Sequence, residues 1–411
     1  MIKYKCKKCN DLECETSVCP VCGERTYISI LKTFWCENCN IPIFEEVCPL
    51  CNNNGKYIGT DIRPVFPEER LLIEIILRRE WEFAGKSIWN TSGNNYIVNG
   101  KKIKFSVKDT VNNIDSEYVR KKISELKEQN YSYEQNFMKE EYIKKFIEAN
   151  KIRLNYIMDE AIKYIRKEAQ NYSEDEMFVS FSGGKDSTVT SDIVMKALGR
   201  ENIIHVYGDT TLEYPTTKIY LDRFREYHDK TPILIAKNKD QDFNELCSVI
   251  GPPSRMMRWC CTIFKTGAIT RKIDATFKNK KRLLSFQGIR RNESAARNKY
   301  ERTSNNSKIS KQLVAAPLID WTEFDVWLYL LTNKVDFNDA YKQGFSRVGC
   351  WCCPNNSNWS EYLSKIYMNE KYEKFHKILI NFAKEIRKPD PEEYINSGGW
   401  KARQGGNRFR I

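Results

Sequence analysis

The chain has little that could span or enter a membrane. No stretch approaches the roughly 18 consecutive apolar residues of a spanning helix. The N-terminus, Met-Ile-Lys-Tyr-Lys-Cys, lacks the apolar core of a secretory signal. A cytoplasmic protein with no membrane partner is the expectation. Charge of neither sign is scarce, but 67 Lys+Arg outnumber 54 Asp+Glu, a formal charge of +13. That excess suits an anionic partner such as a nucleic acid, a nucleotide or a sulfate ester, and equally an ordinary lysine-rich surface. Apolar residues make up 41% and aromatics 12% of the 411 residues, enough for two or three folded domains.

Cysteine is abundant, with 15 residues in two groups. A reducing compartment disfavours disulfides, and the spacing points to metal. Cys6-x2-Cys9 with Cys19-x2-Cys22, and Cys36-x2-Cys39 with Cys48-x2-Cys51, read as two zinc ribbons in residues 1–55. So short a segment cannot bury enough apolar surface to fold alone, so two structural Zn2+ ions are expected as staples. The ribbons serve either to brace the rest of the protein or to dock RNA, DNA or a protein. Cys14 is left over.

Residues 56–135 predict a small helix-plus-hairpin module. Glu68–Glu82 has helical periodicity, and Asn99-Gly100 is a type I′ hairpin signal between β-prone runs. One long amphipathic helix is expected over 138–170. From residue 176 strands and helices alternate. Strands are expected at 177–181, 203–208, 232–236 and 282–288, and helices near 187–198, 214–227, 241–250, 262–277 and 323–331. This predicts an α/β fold with a parallel sheet and helices on both faces, spanning 136–375, with ligands at the carboxyl ends of the strands. A basic tail over 376–411 completes the division.

Ser182-Gly183-Gly184-Lys185-Asp186-Ser187 follows a buried-type strand and opens a helix. Glycines admit close backbone approach, and a helix N-terminus presents free N–H groups to an anion. The spacing is not that of a Walker A loop. The string resembles the pyrophosphate-binding loop of the ATP pyrophosphatases, specifically the phosphoadenosine phosphosulfate (PAPS) reductase family. His205-Val-Tyr-Gly-Asp209-Thr210 with Glu213-Tyr-Pro215 resembles the second-strand motif of that family. Gln287-Gly288-Ile289-Arg290-Arg291-Asn-Glu293-Ser294 with Arg297, and Pro317-Leu-Ile-Asp320-Trp321 through Asp325 and Trp327, resemble its later motifs. The resemblance spans about 140–360. It implies an adenine nucleotide α-hydrolase-like fold that binds ATP with Mg2+. Lys185, Asp186, Asp209 and Arg290 are the expected catalytic residues. Ser182, Gly183, Gly184, Ser187, Gly288, Arg291, Glu293 and Arg297 are expected to join them around the nucleotide.

Cys260-Cys261 and Cys350-x2-Cys353 supply four further thiolates. Adjacent cysteines suit a cuboidal cluster better than one tetrahedral zinc. The set resembles that holding a [4Fe-4S] cluster in adenylyl-sulfate (APS) reductases and related sulfurtransferases, with Lys265 matching a lysine after the tandem pair. Zinc and buried free thiols are the alternatives. Cys352 is unassigned, and Cys247 reads as core.

PAPS and APS reductases use a nucleophilic cysteine in a C-terminal tail, and here no cysteine follows Cys353. The favoured expectation is therefore an ATP-dependent sulfurtransferase. It would adenylate an acceptor, releasing pyrophosphate, before sulfur insertion. DNA-phosphorothioation enzymes are the nearest type, with DNA or tRNA as acceptor and a cysteine desulfurase as sulfur donor. The alternatives are a PAPS/APS reductase that releases sulfite and a non-catalytic nucleic-acid-binding nucleotide sensor.

Overall fold

The computed structural model describes residues 4–402 apart from 11, 15–17, 25, 29–31, 92, 295–296, 306–308 and 310. Residues 403–411 of the expected tail lie outside the described residues.

Each ribbon is a three-stranded antiparallel sheet. The first has β1 (Tyr4–Cys6), β2 (Leu12–Cys14) and β3 (Tyr27–Ile28). The second has β4 (Thr33–Cys36), β5 (Ile41–Ile43) and β6 (Lys56–Gly59). It therefore runs past the expected boundary at 55, because β6 pairs with β4. The two ribbons are not equivalent. Cys6, Cys14 and Cys19 form a small cluster of their own. Trp35, Cys36, Ile41, Ile43 and Cys48 belong to the same core as Trp89, Phe146 and Trp327.

The next module pairs β7 (Ile62–Pro64), β8 (Ile88–Thr91), β9 (Asn95–Val98) and β10 (Lys101–Lys102) into an antiparallel sheet, with α1 (Pro67–Leu77) after β7. Helix α1 stops earlier than expected because Arg78 turns left-handed (φ 55°). Asn99 and Gly100 both take positive φ (48° and 78°), as a type I′ hairpin needs. Two helices without a sequence forecast follow, α2 (Val107–Asn113) and the 21-residue α3 (Ser116–Asn136).

The single helix expected over 138–170 is two, α4 (Glu141–Ala149) and α5 (Lys151–Ala169). The break falls at Asn150. Its Nδ2 donates to the Phe146 (2.8 Å) and Pro42 (3.2 Å) carbonyls, and its Oδ1 accepts the Phe44 N–H (3.0 Å). One buried amide thus ends a helix and binds the second ribbon, a local competition periodicity cannot register.

The large sheet contains β11 (Met177–Phe181), β12 (Ile204–Asp209), β13 (Ile233–Lys237), β14 (Leu283–Gln287), β15 (Thr303–Ser304) and β16 (Gln312–Ala315). Its order is β13-β12-β11-β14-β16-β15, and every pair is parallel except β15 with β16. Such a sheet is buried on both faces, which accounts for the mostly apolar Met-Phe-Val-Ser-Phe run of β11. Val179 joins the core that includes Ile157 of α5 and Ile193 of α6 (Lys185–Leu198). Phe178 joins Ile273 and Phe277 on the other side, at the end of α9 (Gly267–Thr276). Phe181 packs on Tyr220 and Phe224 of α7 (Pro215–Tyr227). Helix α8 is Phe243–Ile250, and a π-helical segment, Cys261–Thr266, precedes α9.

Helix α10 (Glu323–Thr332) is held to α5 by a buried bidentate pair, Arg153 to Asp325 at 2.6 and 2.7 Å. Trp321 and Trp327 are buried beside it. The Asp-Trp motif therefore packs the domain. Residues 376–402 are not a free tail. Helix α11 is Asn358–Tyr367, α12 runs Asn369–Glu385, α13 is Pro391–Asn396, and Trp400 is buried against Phe375. Aromatic burial outweighs the basic composition there. Among the described residues no helix is long and apolar enough to cross a membrane.

Candidate functional site

The Ser182–Ser187 loop lies where β11 ends and α6 begins, at the carboxyl edge of the sheet. Gly183 has φ +71°, and a Cβ there would meet Thr217 Cγ2 at 3.0 Å. The Ser182 N–H donates to Ser187 Oγ at 3.1 Å, and the Gly184 N–H faces Ser182 Oγ at 3.4 Å. Gly288 is fixed by packing. A Cβ there would stand 2.6 Å from the Asp186 carbonyl carbon and oxygen. The two motifs are thus pressed together, loop against strand end.

The charged residues at this edge are buried and mutually paired. Arg290 Nε donates to Asp186 Oδ1. Lys185 Nζ stands 3.6 Å from Asp186 Oδ2 and 3.4 Å from Glu323 Oε1. Burial alone would raise the Asp186 pKa, but Arg290 and Lys185 beside it hold it at about 2. Burial would likewise lower Lys185, and Asp186 with Glu323 outweigh it, so Lys185 stays protonated. The result is a fixed constellation of two cations and two carboxylates at a helix N-terminus.

Two cavities open here. One, about 300 Å3, is lined by the loop, Thr210, Glu213, Lys265, Gln287, Gly288, Glu293, Arg297 and Tyr341. A larger one adjoins it and includes Arg290. Of the expected residues, Ser182, Gly184, Lys185, Asp186, Ser187, Gly288, Glu293 and Arg297 meet around the first cavity. Gly183 turns the loop behind it. Asp209 and Arg291 are placed elsewhere. Asp209 accepts the Thr211 N–H at 2.8 Å and faces Lys237 at 3.5 Å, and it does not line the cavity. Arg291 gives its Nη1 to Asp320 and its Nε to the Tyr300 carbonyl. Both are arginine and aspartate in the right motif but turned to structural partners.

Several site residues carried no sequence signal. Tyr341 accepts the Lys185 N–H at 2.9 Å from 156 positions away. Glu323 and Arg347 reach the site from after the sheet. His205 is a core residue. Its Nδ1 faces the Ile203 carbonyl at 2.8 Å and its Nε2 pairs with Ser191 Oγ at 2.7 Å, and burial lowers its pKa to about 4.

The cysteines fall into two geometries. In each ribbon tetrad, the four sulfurs lie within 4.8 Å of one another, with contacts of 3.4 and 3.8 Å. Zn–S bonds of about 2.3 Å put tetrahedral sulfurs roughly 3.8 Å apart, so both tetrads could hold zinc. Cys260, Cys261, Cys350 and Cys353 are also brought together. Cys260 feels the charges of the other three, but the set does not close to the single-ion spacing of the ribbons. Cys350 lines the loop cavity. Cys352 and Cys247 are buried in the neighbouring core, 7% and 2% exposed.

Residues 176–356 match the phosphoadenosine phosphosulfate reductase domain family. The adenosine 5′-phosphosulfate reductase of Neisseria meningitidis serogroup B is 36% identical over 192 residues, 44% of this chain and 71% of that protein. This chain belongs to the PAPS reductase family. Two uncharacterized proteins of Methanocaldococcus jannaschii are 32% and 30% identical over 262 and 268 residues, 64% of this chain in each case. The chain spans 53% and 60% of their lengths. The family match covers β11 to the Cys350–Cys353 knuckle and leaves the ribbons, the module with α1–α3, helices α4 and α5, and α11–α13 outside it. The matched part is thus a nucleotide-binding α/β domain of an enzyme family.

Proposed function

We propose that this PAPS-reductase-family protein is an ATP-dependent sulfurtransferase. The observation that carries the reading is that Cys350 and the Ser182–Ser187 loop line one cavity, with Thr210 Oγ1 3.5 Å from Cys350 Sγ. Sulfur chemistry and a nucleotide phosphate would meet there. ATP with Mg2+ would occupy the loop, its phosphates taken by the α6 N-terminus and Lys185. An acceptor oxygen attacks the α-phosphorus and releases pyrophosphate. A persulfide sulfur then displaces AMP from the acceptor, and a thiol resolves the resulting disulfide. Cys260, Cys261, Cys350 and Cys353 would hold a [4Fe-4S] cluster, which when bound supplies irons with affinity for sulfur. Within the chain, Lys185 and Arg290 neutralise charge and position the phosphates, the main demand of this step. Asp186 keeps both cations in place. The ribbons, which could hold two Zn2+, and the +13 charge support a nucleic-acid acceptor, DNA or tRNA, with a cysteine desulfurase as donor.

A second reading, APS or PAPS reduction to sulfite, is favoured by the 36% identity to an APS reductase. It requires an accessible thiol nucleophile, and burial pushes the Cys352 thiol well above its ordinary range. Anaerobically purified protein, counted for iron and zinc, separates the two. Pyrophosphate release from ATP supports the transferase. Rapid sulfite release from APS or PAPS with a thiol overturns it.

A further inference from the structure

Beside the loop cavity lies a larger one of about 670 Å3. The two share Lys185, Glu293 and Arg347. The far wall of the larger cavity is the module preceding the family domain, through Asp61, Arg63, Asn90, Thr91 and Asn94. A ligand pocket of this size accommodates a small-molecule-sized group.

The wall is held rigidly. Asp61 Oδ2 and Oδ1 accept the Glu323 and Phe324 N–H groups, both at 2.9 Å, so the module caps α10. Arg63 is buried and bidentate to Glu69 at 2.6 and 2.7 Å, and Glu69 also accepts the Tyr96 hydroxyl at 2.7 Å. These groups have their partners within the protein. What faces the cavity is different. Among the described residues Arg290 gives only its Nε to a side-chain acceptor, Asp186, with the Glu323 and Asp61 carboxylates also close enough to act on its charge. Arg347 is exposed and has no acidic partner within 4 Å among the described residues. Lys185, paired with Asp186 and Glu323, sits at the junction. Around them stand Thr91, Asn94 and Asn298, hydroxyl and amide groups, and the carboxylates of Glu293 and Glu323, the first paired with Arg297 and the second with Lys185. Among the described residues no aromatic side chain lines the cavity, so they give it no platform of the kind on which proteins stack an unpaired base.

We infer that this cavity is the acceptor site and that it takes a sugar phosphate, not a base. Guanidinium forks and an ammonium group match phosphate oxygens, and the amides and hydroxyls match sugar hydroxyls. The phosphate lies toward Arg290 and Lys185, from where its oxygen enters the loop cavity. The module is therefore a substrate-binding element. The inference rests on the adenylation reading for its chemistry but not for its binding. The sugar phosphate comes either from a free metabolite or from a polynucleotide backbone.

The test is calorimetry on the anaerobic, full-length protein saturated with α,β-methylene ATP. The probes are ribose 5-phosphate, ribose, and a single-stranded oligonucleotide with and without bases. Binding of ribose 5-phosphate but not ribose supports the site with a free metabolite as source. Binding of the abasic strand, as tightly as of the strand with bases, supports it with a backbone as source. Binding of neither, or only of the strand with bases, overturns it. Asn94→Asp and Arg347→Gln should each weaken the bound probe about tenfold or more; unchanged affinity in both overturns the placement. Pyrophosphate release is measured separately. Release without probe binding removes the site and keeps adenylation. Probe binding without release removes adenylation and keeps the site.

Discussion

Thr210 Oγ1 lies 3.5 Å from Cys350 Sγ. Thr210 follows β12, and Cys350 belongs to a knuckle 140 residues later. The contact places the second cysteine group at the carboxyl edge of the sheet, on the wall of the loop cavity. It is extended by a backbone bridge between Glu213 and Cys350 and by the Trp351 N–H to the Leu212 carbonyl at 2.9 Å.

If these cysteines hold a cluster, Cys350→Ala should lose the iron and its visible absorption while keeping zinc in the ribbons. Thr210→Val should keep the iron, because the hydroxyl is a neighbour and not a ligand. Metal counts on both variants check this. Equal iron in wild type and Cys350→Ala would remove the cluster assignment.

The two ribbons should respond differently to loss of metal. Cys36→Ser opens a tetrad built into the main core beside Ile41 and Ile43, so it should lower the global unfolding midpoint and abolish most soluble protein. Cys6→Ser opens a tetrad with its own small cluster and should leave the midpoint of the catalytic domain nearly unchanged. Denaturant unfolding with a chelator series measures both.

Gly288→Ala should impair the loop without touching any charge. Its new Cβ would fall 2.6 Å from backbone atoms of Asp186, which cannot swing aside. The expected cost is about 1–3 kcal/mol of stability, with a clear loss of ATP affinity. Gly59→Ala, whose Cβ would meet nothing closer than 3.7 Å and which lies outside the loop cavity, serves as the neutral control.

Arg290→Met leaves Asp186 buried beside Lys185 alone. Breaking a buried pair costs about 3–5 kcal/mol. The loss should be largest near neutral pH and shrink in strong acid, where Asp186 would be protonated in both states. Asp186→Asn together with Arg290→Met should recover part of the stability of Arg290→Met, yet none of the pyrophosphate release.

His205 should make stability depend on pH. Its folded pKa, about 4, lies below its ordinary 6.5 because burial disfavours the cation. The unfolded chain therefore binds the extra proton first. Its contribution is fully present above pH 6.5 and is lost as pH falls toward 4, by up to about 3 kcal/mol. His205→Gln should flatten the stability profile across that window. An unchanged slope would show that His205 is not the group responsible.

Much of this was legible in the amino-acid order, because the signals are local. The parallel sheet follows from apolar runs separated by helical periods, and β11 begins and ends at its expected residues, 177–181. The loop is marked by its glycines, and the ribbon tetrads by the spacing of their knuckles. The helix break at Asn150 was not legible, since its cause is the Pro42 carbonyl and the Phe44 N–H of another domain. The packed end of the chain was not either, since basic composition hid Trp400.

By itself, the sequence determined which residues could bind phosphate, hold metal and form strands, because those properties depend on residue type and short-range spacing. Tertiary structure decided which of them share a site. It turned Asp209 toward Lys237 and Arg291 toward Asp320, and it brought Tyr341, Glu323, Arg347 and Cys350 to the loop. It also set the module wall across from Arg290. Those choices depend on contacts between residues from about thirty to more than a hundred positions apart, where packing and burial of charge select partners that spacing alone leaves open.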